Sequence, residues 1–114
     1  MSELANHLND VFRLFGDIEV RRMFGGHGVY REGLMFGLVS DETLYLKADG
    51  QNEARFRSLG LPRFEYSRKG KTTKLSYYAA PDAVMEDAVE AARWAQLSFE
   101  AALRGRVRRR ETSS

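Results

Sequence analysis

The sequence predicts a two-layer α+β sandwich, with an antiparallel sheet on one side and helices covering one of its faces. Three observations predict it. The first is that the middle of the chain alternates apolar and polar side chains in short runs, the period of strands. The second is that tight turns join these runs, at Glu32-Gly33 and Lys69-Gly70 among others, and strands joined that tightly are antiparallel. The third is that both ends of the chain carry helical spacing instead, and segregated helices cover a sheet face. The order read from the sequence is α-β-β-β-β-α-β-β-α.

Residues 3–15 read as the first helix. Leu4, Leu8, Val11, Phe12 and Phe15 fall on one stripe. Ser2 is placed to cap its start, and Gly16 stands where a glycine ends a helix. Residues 18–24 read as a strand, with Val20, Arg22 and Phe24 on one face and Arg21 and Met23 on the other. An arginine on each face means that one face is wet or one arginine is paired. Gly25-Gly26-His27-Gly28 then reads as a sharp bend between strands, because glycine enters positive φ without a Cβ penalty.

Val29-Tyr30-Arg31 resumes as a strand. Residues 34–39 form the next, with Leu34, Phe36 and Leu38 on one face and Met35, Gly37 and Val39 on the other, the mark of a central strand. After a turn at 40–42, Thr43–Lys47 is a strand with Leu44 and Leu46 inward. Asp49 or Asn52 caps a short helix over 51–59, with Phe56 and Leu59 inward and Gly60 at its end. Phe64–Arg68 and Thr72–Tyr78 form a hairpin that is basic at its tip. The last helix starts near Asp82, with a second cap at Asp87. Its apolar stripe runs through Met85, Ala88, Val89, Ala92, Ala95, Phe99, Ala102 and Leu103, which leaves Trp94 and Leu97 off the stripe as candidates for a homodimer interface. The domain is read as 1–104, and 105–114 as a basic, disordered tail.

Length and composition narrow the classes. A chain of 114 residues is one domain able to bury a core. There is no cysteine, which removes disulfides, thiolate nucleophiles, zinc–thiolate sites and iron–sulfur clusters. No apolar stretch approaches the ~20 residues that span a bilayer, and no signal peptide is seen, so a cytoplasmic protein without membrane contact is expected. The net charge of +2 hides a segregation: Arg104, Arg106, Arg108, Arg109 and Arg110 stand against Glu111 at the end of the chain.

The candidate chemistry is sparse. Gly26-His27-Gly28 begins like a dinucleotide fingerprint but lacks the last glycine, and strands flank it where a helix would have to open. The structural reading, a bend, outweighs a phosphate cradle beside Arg21 and Arg22. His27 between glycines could serve as a base or ligand, yet it has no partner at ligand spacing, so a turn histidine is favoured. Around the second hairpin, Arg63, Arg68, Lys69, Lys71 and Lys74 interleave with Phe64, Tyr66, Tyr77 and Tyr78. Such a surface can hold phosphates and stack bases. A half-buried hairpin with its aromatics on the core is the competing reading, and alternation favours it.

Several motifs together resemble a known family. They are Arg21-x-Met23-Phe24-Gly25-Gly26-x-Gly28-Val29-Tyr30, Gly33-Leu34-Met35-Phe36-Gly37, Leu44-Tyr45-Leu46-Lys47, Phe64-x-Tyr66-x-Arg68-Lys69-Gly70-Lys71 and Ser76-Tyr77-Tyr78-x-x-Pro81. From about residue 10 to 104 the chain resembles the TfoX N-terminal domain family, related to the bacterial competence regulators also called Sxy. The resemblance implies a curved antiparallel sheet in a secretion-chaperone-like architecture, no catalysis and no cofactor. It also implies a place in transcription regulation, since full-length family regulators promote competence genes together with the cyclic-AMP receptor protein. Those regulators carry a second, helical domain where this chain has an Arg-rich end.

The expectation is therefore a non-enzymatic regulatory module that acts through protein contacts. The contact surface is placed on Arg21, Arg22, Gly25, Gly26, His27, Gly28 and Tyr30 with Arg68, Lys69, Lys71 and Lys74. Binding of a small anion or a nucleic acid by the same residues is the alternative.

Overall fold

A computed structural model describes residues 2–23 and 25–112. The elements run α1 (Glu3–Val11), β1 (Glu19–Met23), β2 (Gly26–Arg31), β3 (Leu34–Ser40), β4 (Thr43–Lys47), α2 (Glu53–Ser58), β5 (Arg63–Arg68), β6 (Lys71–Ala79), α3 (Asp82–Glu86) and α4 (Ala88–Thr112). Six strands form one sheet in the order β1-β2-β3-β4-β6-β5, and every pairing is antiparallel. The expected α+β class and the helices packed on the sheet are both present.

The helices meet the sheet through one face. Val29, Leu34, Phe36, Val39, Leu44, Leu46 and Tyr78 pack in a single cluster with Leu8, Phe12 and Phe15, with Phe56 of α2, Val84 of α3, and Ala91, Ala95 and Phe99 of α4. Phe12, Phe36 and Phe56 are wholly buried. Each such ring contributes about 1.5–3 kcal/mol. Phe15 meets Phe12, Phe36 and Phe99 edge-on, at 6.3, 5.2 and 6.1 Å between ring centres. Ala91 and Ala95 let α4 approach the strands closely.

Several boundaries differ from the sequence reading, each for a local reason. Ser2 does cap α1, its hydroxyl accepting the Ala5 N–H at 3.1 Å. The helix then ends at Val11, and residues 12–15 form a turn. Phe12 leaves helical geometry, and the turn still delivers both Phe12 and Phe15 to the core. In β3, a register shift opposite Val29 and Tyr30 inserts one residue, so Phe36 and Val39 share the core face and Leu38 lies on the opposite face with Gly28 and Tyr45. Simple alternation had placed Leu38 with Phe36.

Asn52 does not cap α2 with its side chain. It is 2% exposed, accepts the Asp49 N–H at 2.7 Å and donates to the carbonyls of Lys47 and Leu97. Leu59 is exposed rather than inward.

The last helix is two. Asp87 is extended and its carboxylate accepts the Val89 N–H at 2.8 Å, so the second cap forms and resets the helical phase. That reset exposes Met85 and Val89, which the unbroken stripe had placed inside, and buries Ala91 and Ala101. Trp94 turns onto Phe56, 5.1 Å between ring centres, and packs against the core. The helix also runs through Gly105 to Thr112, where the sequence reading had begun a disordered tail. Arginines are good helix formers, and the last core turns of the helix template the turns that follow. Placements read for Phe24 and for residues 113–114 lie outside the described residues.

Candidate functional site

The second face of the sheet carries none of the core cluster. By strand register it presents Glu19, Arg21 and Met23 of β1, Gly28 and Tyr30 of β2, Met35 and Leu38 of β3, and Tyr45 and Lys47 of β4. Tyr77 and Ala79 of β6 and Phe64, Tyr66 and Arg68 of β5 complete it. Leu38 and Tyr77 are buried here, outside the main cluster. Tyr45 meets Phe64 edge-on at 4.9 Å, and Phe64 lies nearly parallel to Tyr66 at 6.2 Å. Ala79, the strand partner of Tyr45, is small enough for Phe64 to lean across it. Tyr66 is 45% exposed.

Of the hairpin aromatics only Tyr78 therefore faces the helices, stacked on Phe56 at 5.3 Å between ring centres. Phe64 and Tyr66 lie on the open side, which removes the reading that set them against the core. Residues 65–74 are exposed throughout, so the β5–β6 hairpin projects beyond both layers. Its turn takes positive φ at Lys69 (52°) and Gly70 (78°), the geometry of a two-residue hairpin loop.

Cations ring the aromatic strip. Arg21 is held by Glu19 at 2.8 and 3.1 Å and lies over the Tyr30 ring at 4.5 Å. Lys47 sits over the Tyr77 ring at 5.1 Å. Burial lowers the Lys47 ammonium below its ordinary range, and the positive charge of Arg109 lowers it further. Arg109 of α4 is thus near enough to Lys47 for its charge to act there. Asp49 opposes that lowering, while Arg104 donates to both its oxygens at 2.6 and 2.9 Å. Burial, with the neighbouring Tyr30, pushes the Tyr77 hydroxyl upward, so it stays protonated.

The residues predicted for the site are divided by this geometry. Arg21, Gly28, Tyr30, Arg68 and Lys71 belong to the open face, with Lys69 at the hairpin turn. Lys74 points to the other side, where it pairs with Glu65 at 3.6 Å. Arg22 and His27 are strand partners on the helix side. They line a cleft of about 430 Å³ with Ser2, Gly25, Gly26, Asp41 and Glu42. Its rim carries two carboxylates, and the hydroxyl of Ser2 and the N–H of Leu4 hold Glu42 below its ordinary range. A cleft with that charge does not suit an anion.

The glycines are also not one bend. Only Gly25, at φ 80°, belongs to the turn; Gly26 and Gly28 lie inside β2. A Cβ on Gly26 would stand 2.3 Å from the Val39 carbonyl oxygen, and one on Gly28 within 2.9 Å of Tyr30, Met23 and Met35. These glycines serve close packing, Gly26 against the backbone of β3 and Gly28 against neighbouring side chains. His27 is accordingly a strand residue, not a loop residue, and its Nδ1 is buried without a hydrogen-bond partner among the described residues. No cluster of His, Asp or Glu able to hold a metal occurs among the described residues.

Tyr45 and Lys47 were missed as site residues. The signal was present: alternation of Thr43-Leu44-Tyr45-Leu46-Lys47 sets both opposite Leu44 and Leu46.

Comparison with known proteins matches residues 10–102 to the TfoX N-terminal domain. The chain belongs to that family. DNA transformation protein TfoX1 of Aliivibrio fischeri (strain ATCC 700601 / ES114) is 36% identical over 78 residues, 68% of this chain and 37% of that protein. Protein Sxy of Escherichia coli (strain K12) is 28% identical over 89 residues, 78% of this chain and 43% of that protein. The chain thus spans less than half the length of these curated relatives. The TfoX N-terminal domain is a non-enzymatic, bacterial, competence-regulator-like domain. Among the described residues, no helix is long and apolar enough to cross a membrane.

Proposed function

We propose that this domain is a regulatory contact module of a DNA-transformation system, and that the open face of its sheet is the contact surface. One observation carries the reading. All four helices feed the core cluster from one side, while the other side leaves Tyr30, Tyr45, Phe64 and Tyr66 without a covering layer. An aromatic surface of that kind marks an interaction site. The sequence favoured a protein as the partner; the charges around these rings favour an anionic one.

The test is made in the native host, at the exposed hairpin tip, where substitutions do not reach the core. Arg68→Glu with Lys71→Glu reverses the open side; Lys74→Glu with Glu65→Lys swaps a pair on the opposite side. The first variant should lower competence-gene transcripts and transformation frequency while keeping wild-type circular dichroism and melting temperature. The second should leave both near wild type. Equal behaviour of the two variants overturns the assignment of the surface.

A further inference from the structure

We propose that the open sheet face binds single-stranded nucleic acid, with bases stacking on Tyr45, Phe64 and Tyr66 and phosphates held by Lys47, Arg68 and Lys71. This rests on the reading of that face as the contact surface and names its occupant.

The rings give the first argument. Tyr45, Phe64 and Tyr66 form a continuous run across three strands, with centres 4.9 and 6.2 Å apart. Every base has a π face, so such a run accepts any unstacked sequence. A duplex hides those faces inside its own stack. Charge gives the second. Register puts Arg21, Lys47, Arg68 and Lys71 on this face with a single carboxylate, Glu19, which Arg21 already holds. Arg68 and Lys71 have no ion-pair partner among the described residues. The hairpin carries its own control, because Lys74 on the opposite side is neutralised by Glu65. The end of α4 gives the third: Arg109 acts on Lys47.

The experiment is fluorescence anisotropy of the full chain with labelled strands of about 12 nucleotides, within the range one binding face covers. Four probes are used: mixed-sequence single-stranded DNA, the same sequence as RNA, its duplex, and an abasic strand with the same phosphates. Both single strands should bind more tightly than the duplex and the abasic strand. Tyr66→Ala should weaken binding roughly 5- to 100-fold, and Tyr66→Phe should restore it. Arg68→Ala with Lys71→Ala should reduce the slope of log K against log salt by about 1.4. Both sites lie at the exposed tip, and circular dichroism checks the fold. Equal affinity for the abasic strand, preference for the duplex, or no binding overturns the proposal. If no strand binds while Arg68→Glu with Lys71→Glu still lowers transformation, the occupant is a protein, and the contact surface stands without this inference.

Discussion

Asp49 and Arg104 fasten the end of α4 to the end of β4, and their pairing fixes how stability should respond to acid. The two hydrogen bonds from Arg104 are the main cause holding the Asp49 carboxyl down at about 2, against an ordinary 3.8; the N–H groups of Gln51 and Asn52 add to them, and partial burial opposes them. Each pH unit of depression is worth about 1.4 kcal/mol. The full difference comes to about 2.4 kcal/mol by that conversion, and screening at the 27%-exposed Arg104 reduces it to ~1–2 kcal/mol. Because the folded value lies below the unfolded one, the contribution is complete above pH ~4 and disappears as pH falls towards about 2. Urea titrations of the wild type and Asp49→Asn across pH 7 to 2 measure it. The gap should be ~1–2 kcal/mol at neutral pH, about 4–15 °C in melting temperature for a domain of this size, and should close in acid. A gap that stays constant down to pH 2, or no gap at pH 7, refutes the pairing. The functional consequence follows from position: with the clasp gone, amide exchange over the turns around Arg104 should quicken, because Arg104 ties α4 to Asp49 through both carboxylate oxygens.

Three further outcomes test the packing that builds the two faces. Gly26→Ala should destabilise by roughly 2–4 kcal/mol, since its Cβ meets the fixed Val39 carbonyl, whereas Gly28→Ala should cost about 1–2 kcal/mol because methionine ends can move; equal losses in chemical denaturation would refute this account of the glycines. Asn52→Ala should cost about 2–3 kcal/mol by leaving the Asp49 N–H and the Lys47 carbonyl without their buried partner, and a loss below about 0.5 kcal/mol would contradict it. Arg31→Lys should cost about 1–2 kcal/mol despite keeping the charge, because the planar guanidinium both donates to the Phe15 carbonyl at 2.7 Å and lies over the Phe15 ring at 4.4 Å; an unchanged melting temperature would show that charge alone matters there.

Local pattern made most of the fold legible. Alternation located all six strands, and Ser2 and Asp87 announced real caps. What failed was phase. The shift opposite Val29 moved Leu38 to the open face, and the break at Asp87 rotated the stripe of α4; a single inserted or extended residue does this without any compositional mark. Glycines announce backbone proximity but not its cause, so Gly26 and Gly28 read as a bend when they are cramped strand positions. The open face was half legible. Arg21, Tyr30, Arg68 and Lys71 could be named from sequence, but Arg22 and His27 were grouped with them by chain proximity although strand parity sets them on the other side. Alternation sets Tyr45 and Lys47 opposite Leu44 and Leu46, but joining them to Phe64 and Tyr66 across β6 requires the strand order, which no local spacing encodes. The Asp49–Arg104 pair, 55 positions apart, is invisible for the same reason.

Backbone chemical-shift mapping of the full chain against a single strand of about 12 nucleotides tests the central assignment most directly. Shifts concentrated at Tyr30, Tyr45, Lys47, Phe64, Tyr66 and Lys71, with the outer surfaces of α1 and α4 unmoved, are the predicted result. Shifts concentrated at Arg22, His27 and Glu42, or along α4 near Val89 and Leu97, would contradict it.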